Sequence, residues 1–530
     1  MHKKIIMPLL TCVILLPWLL VFMNYRLHTD MAWLTIAANR LLDGGTMSRD
    51  FYETNPPLSI LYYAVPALFS RFLPVPPYLS PFLWSACLIV LASCAVYRLI
   101  RRLDFFPAGS EIYFTCCFAA AAIIGPGYYF GERDHIVIIG LFPFLLVQAA
   151  ITKKIALPPL LKWPVLILGS VAILLKPHYG FLPAMMLLHR MVKQRRLVAF
   201  DVDCLTLVFA SATYIGMIFV FFKDFITVIF PDDLALYVLR QTTYVADYSA
   251  FLVLVSASGL MIAGLILNGK YRASALYCGL MALCCVVPFY TQFKGFEYHA
   301  IPFLVLMSLM VSATLYGLAR TVLPGSWQDG EGVPVATLGI FLAVLTFTFH
   351  TGKHYNTHRD YKNSPLAQIM KDCGQDCSFY MVSTMGEIML PLSVYTQQEF
   401  PSRFGNAWYL EPILWREALL EQHPDDKALA AELAHYKSKY TALFADDLGR
   451  YKPDLILISD CNIFAATEAP CDRSFEEFYS GNAAFRREWA GYKRDGTLTL
   501  NWDDYFRGLE GPSPGRKTYD FKIYRRTIPY

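Results

Sequence analysis

The sequence predicts a polytopic α-helical membrane protein of about eleven spans, followed by a C-terminal α/β domain outside the membrane. Three observations predict it. Apolar residues make up 55% of the 530 and charged residues only 17%, well under the roughly 25% charged content of ordinary soluble domains. Apolar runs near the roughly 20 residues needed to cross a bilayer recur along the first two thirds of the chain. After His350 the composition turns polar for the remaining 180 residues, long enough for a domain of their own.

The predicted spans are 5–23, 79–98, 111–130, 136–151, 164–175, 179–192, 203–222, 249–267, 273–290, 300–319 and 334–350. The first run lacks a small-residue cleavage site and reads as a retained anchor. The pair covering 164–192 is short and broken at "LKPHYG". Basic loops at 2–4, 97–102, 152–162, 189–196 and 268–272 all fall on one side, which the positive-inside rule makes the cytoplasm. The net charge of +4 therefore reflects topology and gives no reason to expect nucleic-acid binding. Residues 1–350 form the expected membrane domain and 351–530 an extracytoplasmic one, periplasmic or extracellular. A bacterial inner membrane is the favoured setting.

The loop 24–78 after the first span is patterned. "TDMAWLTIAANRLLDGG" places Met31, Leu34, Ala38, Leu41 and Leu42 at helical spacing, with Thr29 or Asp30 as cap and Gly44 and Gly45 as stop. "NPPLSILYYAVPALFSRFL" predicts a second helix, capped by Asn55 with Pro56 and Pro57 in its first turn. Both helices suit the membrane surface. In the outer domain, "SFYMVS", "PDLILIS" and "TYDFKIYRRT" predict strands, and "DDKALAAELAHYKSKYTALFADDL" an amphipathic helix. Nine of the 13 cysteines lie in or beside apolar spans, where a thiol is a small filler. The other four suggest two disulfides in an oxidising compartment, most simply Cys373–Cys377 and Cys461–Cys471.

The outer loops mix carboxylates, His, Lys and Tyr, the palette of a site. Asp30 is either a helix cap or a general base for an acceptor hydroxyl. "SRDFYETNPP" offers Asp50, Glu53 and Asn55, either as turn caps or to orient hydroxyls. "GERDH" sets Glu132, Arg133, Asp134 and His135 together at a membrane edge. They form a plain helix start or one wall of a site in which Arg133 grips phosphate. "LLKPHYG" puts Lys176, His178 and Tyr179 at the end of an apolar run, where Lys176 either snorkels or pairs with phosphate. "TQFKGFEYH" brings Lys294, Glu297, Tyr298 and His299, an aromatic anchor or a fifth group of contacts. Tryptophans and tyrosines of the outer domain (Trp408, Tyr409, Trp415, Trp489, Trp502) suit core packing better than sugar stacking.

The run "HTDMAWLTIAANRLLDGG…DFYETNPPLSILYY" resembles the first outer loop of the GT-C membrane glycosyltransferases, which include protein O-mannosyltransferases, lipid A aminoarabinose transferases and arabinofuranosyltransferases. In that resemblance Asp30 matches the loop acid that acts as catalytic base, and "NPPL" at 55–58 resembles the element ahead of the second interfacial helix. "GERDH", "KPHYG" and "FKGFEYH" resemble later outer-loop elements near the lipid phosphate. The resemblance covers roughly residues 1–350. The loop carries one acid where many relatives have an adjacent pair, so a divalent cation stays open and no cofactor is assigned.

The resemblance implies a transferase that moves a sugar from a polyprenyl-phosphate donor to a glycan, lipid or protein acceptor on the outer face of the inner membrane. The alternatives are a transporter or flippase, or a polymerase or ligase, of lipid-linked glycans. A transporter predicts charges on both leaflets and internal repeats, and neither is apparent in the sequence.

Overall fold

The computed structural model of the protein describes residues 3–238, 245–323, 332–350, 356–374, 376–384, 386–459, 475–501 and 518–527. Each predicted span falls on helix. Six helices among the described residues are long and apolar enough to cross a membrane: Ser80–Ile100, Arg133–Thr152, Val202–Phe221, Val245–Ile266, Gly269–Thr291 and Glu297–Val322. Helices Glu111–Ile124, Pro159–Leu175 and Phe181–Gln194 are shorter, with 14, 17 and 14 residues. At 1.5 Å per residue these reach only about 21–26 Å, against a hydrocarbon core of about 30 Å. The second and third of them flank the break at Lys176, where a 3-10 turn, Pro177–Gly180, follows the helix end.

The chain divides into two compact units. The first comprises residues 1–23, 81–217 and 241–352. Its centre is the helix Arg133–Thr152, which is buried along nearly its whole length. Glycines let the next helix approach it. A Cβ on Gly140 would come within 2.5 Å of the Ala172 Cβ, and one on Gly169 within 2.7 Å of the Phe144 Cβ. Small residues of this kind allow close helix packing in an apolar solvent. At the far end of the same helix Arg190, fully buried, donates to both oxygens of Asp203 (2.8 and 2.6 Å), to Asp201 (2.9 Å) and to Thr152 (3.0 Å). A buried guanidinium persists only when its donors are met in this way.

The second unit comprises residues 24–80, 218–240 and 353–530. Its four-stranded sheet runs β1 (Phe379–Val382), β2 (Leu455–Ser459), β4 (Thr518–Arg526), β3 (Tyr492–Asn501). The β1–β2 pair is parallel and the other two are antiparallel. Strands β1 and β2 are buried at every residue, which explains their unbroken apolar sequence. The helix predicted over 425–448 is Lys427–Tyr451, capped by Asp426. The Cys373–Cys377 disulfide is present, whereas Cys461, Cys471 and Trp502 lie outside the described residues. Tyr409 stacks on Tyr440 at 4.2 Å, and Trp489 stacks on Phe485 and Tyr492.

Both loop helices form, with different caps from those expected. Thr29–Leu42 starts from His28, whose Nδ1 accepts the Asp30 N–H at 3.4 Å, so neither Thr29 nor Asp30 is the cap. It stops at Gly44, whose φ of +85° suits glycine. Leu58–Phe72 starts after Pro57, and Asn55 turns back to Glu53 instead of capping it. This helix buries Ile60, Tyr63 and Ala67 while leaving Leu68, Phe72 and Leu73 exposed. The segment 218–240 joins the unit through Asp232, which accepts from Tyr52, Tyr440 (2.8 Å) and Lys439 (2.8 Å).

Candidate functional site

Three segments widely separated in sequence meet inside the first unit. The first is the start of helix Arg133–Thr152. Glu132 caps it, its Oε2 accepting the Asp134 N–H at 2.9 Å, while its Oε1 pairs with Arg133 Nε at 3.2 Å. The bland reading of "GERDH" as a helix start is therefore part of the answer. His135 is also structural in its contacts. Its Nδ1 accepts the Gly131 N–H at 2.9 Å, so its Nε2 carries the proton and donates to the Ala122 carbonyl at 2.7 Å.

Asp134 faces the second segment. Lys176 Nζ lies 3.1 Å from its Oδ2, and the Tyr179 hydroxyl 2.9 Å from its Oδ1. The Tyr179 oxygen is also 2.8 Å from the His299 carbonyl, which ties in the third segment. A phenol has one proton, so it can donate to only one of these acceptors at a time. Lys176 Nζ further donates to Gln292 Oε1 at 3.1 Å and sits 5.4 Å over the Tyr298 ring. The His299 ring packs edge-on to Tyr298 at 4.5 Å. Its Nδ1 is buried without a hydrogen-bond partner among the described residues, while Arg133, Lys176, His178 and Lys294 are near enough for their charges to act on it. Glu132, Arg133, Asp134 and His135 are each no more than 2% exposed, and Lys176 is 9% exposed. Charges this deep in an apolar helical body are retained by pairing and mark a site by default. His178 and Glu297 lie at the exposed edge, where Glu297 accepts from Tyr129 at 3.3 Å.

The second unit holds the loop acids. Asp30 is half-buried in the first turn of its helix. Glu387 follows β1 in the same unit, and the Arg26 guanidinium and the Tyr361 hydroxyl both hold its backbone carbonyl (each 3.1 Å). Its carboxyl Oε2 is buried without a hydrogen-bond partner among the described residues. Burial pushes the Glu387 carboxyl pKa up, Arg26 opposes that, and the Asp30 charge adds to it. Asp50 is anchored by Thr46 and Arg450, and buried Glu53 is turned to Asn55.

The structure thus gathers Arg133, Asp134, Lys176, Tyr179, Tyr298 and His299 into one constellation. Asp50 is tied to Thr46 and to Arg450, and Glu53 and Asn55 contact each other within the loop. Sequence reading missed Gln292 and Glu387. Gln292 stands in the quoted run "TQFKGFEYH" but is uncharged. Glu387 is remote in sequence from Asp30 and sits in no motif. Among the described residues no group of three or more His, Cys, Asp or Glu side chains is arranged to hold a metal ion.

No family model matches the sequence, and no curated protein matches it. Solved structures do. The chain is similar to ArnT from Cupriavidus metallidurans in the apo state, with a TM-score of 0.49 and 14% identity over 74% of this chain and 84% of that one. It is similar also to the same protein bound to undecaprenyl phosphate, with a TM-score of 0.47 and 12% identity over 75% and 85%.

Proposed function

We propose that the protein is an integral-membrane glycosyltransferase that takes a sugar from a polyprenyl-phosphate donor and passes it to an acceptor hydroxyl on the outer face of the membrane. One observation carries the reading. Three distant segments place Arg133, Lys176 and the His299 Nδ1, which has no hydrogen-bond partner among the described residues, together within an apolar helical unit. Such a place suits a phosphate attached to an apolar chain, with the basic groups stabilising it as it leaves. Asp134, Gln292 and Tyr298 hold the Lys176 ammonium in position.

In the proposed reaction Asp30 accepts the proton of the acceptor hydroxyl. The oxygen attacks the anomeric carbon with inversion, and the carbon–oxygen bond to phosphate breaks with its electron pair leaving on the polyprenyl phosphate.

The test is transfer of radiolabelled sugar from a polyprenyl-phosphate donor into membrane acceptors. Asp30→Asn should lower transfer by about 10²–10⁴-fold, the usual contribution of a general base, at unchanged expression. Lys176→Met should weaken binding of undecaprenyl phosphate. Full activity of the Asp30 variant would remove the base assignment. Movement of labelled lipid between leaflets without transfer of label would favour a transporter.

A further inference from the structure

The second unit contains a cavity that the proposed reaction does not use. Its volume is about 500 Å³, within the roughly 300–1,000 Å³ typical of small-molecule sites. Much of the floor is small, although the Glu488 side chain reaches over Gly449, its carboxyl carbon 3.4 Å from where a Cβ there would stand. Ala442, Ala445 and Gly449 lie on one face of the helix Lys427–Tyr451, and Ala484 stands near the start of the helix Ala483–Trp489.

The wall is charged, with Arg49, Arg450 and Arg487 facing Asp446 and Glu488. Three positive and two negative charges would nearly cancel, but their pairing decides what remains available. Asp446 is taken by Arg403, which lies outside the cavity lining. Glu488 accepts from Arg487 Nε at 2.9 Å, an exposed pair, and the terminal nitrogens of Arg487 have no partner among the described residues. Arg450 is held by Asp50 and by the Arg49 carbonyl. The Arg49 guanidinium itself is exposed and has no partner among the described residues.

The frame behind the wall is fixed. Arg40 donates to the Asp50 and Ser402 carbonyls at 2.6 Å each, and Arg403 donates to Asp447 at 2.7 Å and to the Ser48 carbonyl at 3.3 Å. The guanidinium edges of Arg49 and Arg487 match a planar or tetrahedral oxyanion carried on a sugar ring.

We propose that this cavity binds an anionic saccharide through its carboxylate or phosphate group, and that it docks an acidic acceptor glycan. The word acceptor rests on the transferase reading, whereas binding does not. The test is calorimetric titration of the full-length protein in detergent with glucuronate, glucose 1-phosphate and, as neutral control, glucose. Both acids should bind and glucose should not, with affinity falling as salt is added. Arg49→Ala with Arg487→Ala should weaken acid binding about tenfold or more without moving Tm, because both side chains are exposed. Asp30→Asn should bind the acids like the parent protein even where transfer is lost, which separates failure of this inference from failure of the transferase reading. Equal binding of glucose, or unchanged affinity in the double variant, would overturn the proposal. So would competition by nanodiscs of phosphatidylglycerol in the absence of any response to the soluble acids, which would point to a lipid headgroup.

Discussion

Asp50 shows how local contacts set the chemistry of a single carboxylate in the loop 24–78. Burial by itself would raise its pKa. The Thr46 N–H at 2.7 Å and the Arg450 guanidinium outweigh that, and the net effect lowers it below the usual 3.8. A carboxyl depressed in the folded state takes up its proton later than in the unfolded chain. Its stabilisation is therefore full above the unfolded value and is lost as pH falls through the lower folded value. Asp50→Asn should remove that acid dependence from the second unit and cost about 1–2 kcal/mol at neutral pH. Most of this comes from the Thr46 bonds, because Arg450 is 37% exposed and such pairs contribute little. Thermal melting across the acid range, compared between parent and variant, checks it, and parallel profiles would show that Asp50 is not the group that titrates. At this scale the sequence reveals residue types better than partners. Asp134 and Lys176 stand out as charges beside apolar runs, but nothing in the chain says that they lie 3.1 Å apart. Gln292 and Glu387 could not be ranked at all, since their importance comes only from what they face.

At the scale of elements, legibility followed burial. Strands β1 and β2 are fully buried and were readable as apolar runs, and β4 was readable as a strand by its alternation. Strand β3 was missed because it lies at the sheet edge with Lys493 to Thr497 exposed, so only Leu498 and Leu500 at its end show the apolar alternation. The caps of the loop helices were misassigned for a related reason, since a histidine at position 28 and a proline at 57 took positions that preference alone gives to Thr, Asp or Asn. In the helix Lys427–Tyr451, buried Asp447, 1% exposed, accepts from Arg403 Nε, the Arg403 N–H and the Ser402 hydroxyl. Burial raises the Asp447 pKa, and only Arg403 and these hydrogen bonds offset it. Arg403→Met leaves that carboxylate buried without its cation and should cost about 3–5 kcal/mol. Adding Asp447→Leu to the same chain should recover much of the loss, because the uncompensated charge goes with it. Denaturant unfolding of the single and double variants measures both, and a double variant no better than the single would mean that packing, not charge, accounts for the loss.

For the molecule as a whole, hydrophobic runs and basic loops carry most of the information, because the bilayer imposes length and sign on them. The helices found at all eleven predicted runs make an orientation test possible. An odd number of crossings puts the two ends of the chain on opposite sides. The basic clusters at 97–102, 152–162, 189–196 and 268–272 assign the inner side, which sends the residues after His350 outward. Single cysteines on a cysteine-free background report this directly. A cysteine replacing exposed Glu421, near the end of the helix Leu410–Gln422, should react in intact cells with a membrane-impermeant maleimide once the outer membrane is permeabilised. A cysteine replacing exposed Lys270 should react only after the inner membrane is opened. The reverse pattern would put Asp30 and the acidic-saccharide cavity on the cytoplasmic side. A lipid-linked donor would then have no advantage over a soluble nucleotide sugar, and the proposed reaction would lose its reason for a membrane carrier. Labelling at both positions in intact cells would instead show that the number of crossings is wrong, with the short pair Pro159–Leu175 and Phe181–Gln194 the first place to look.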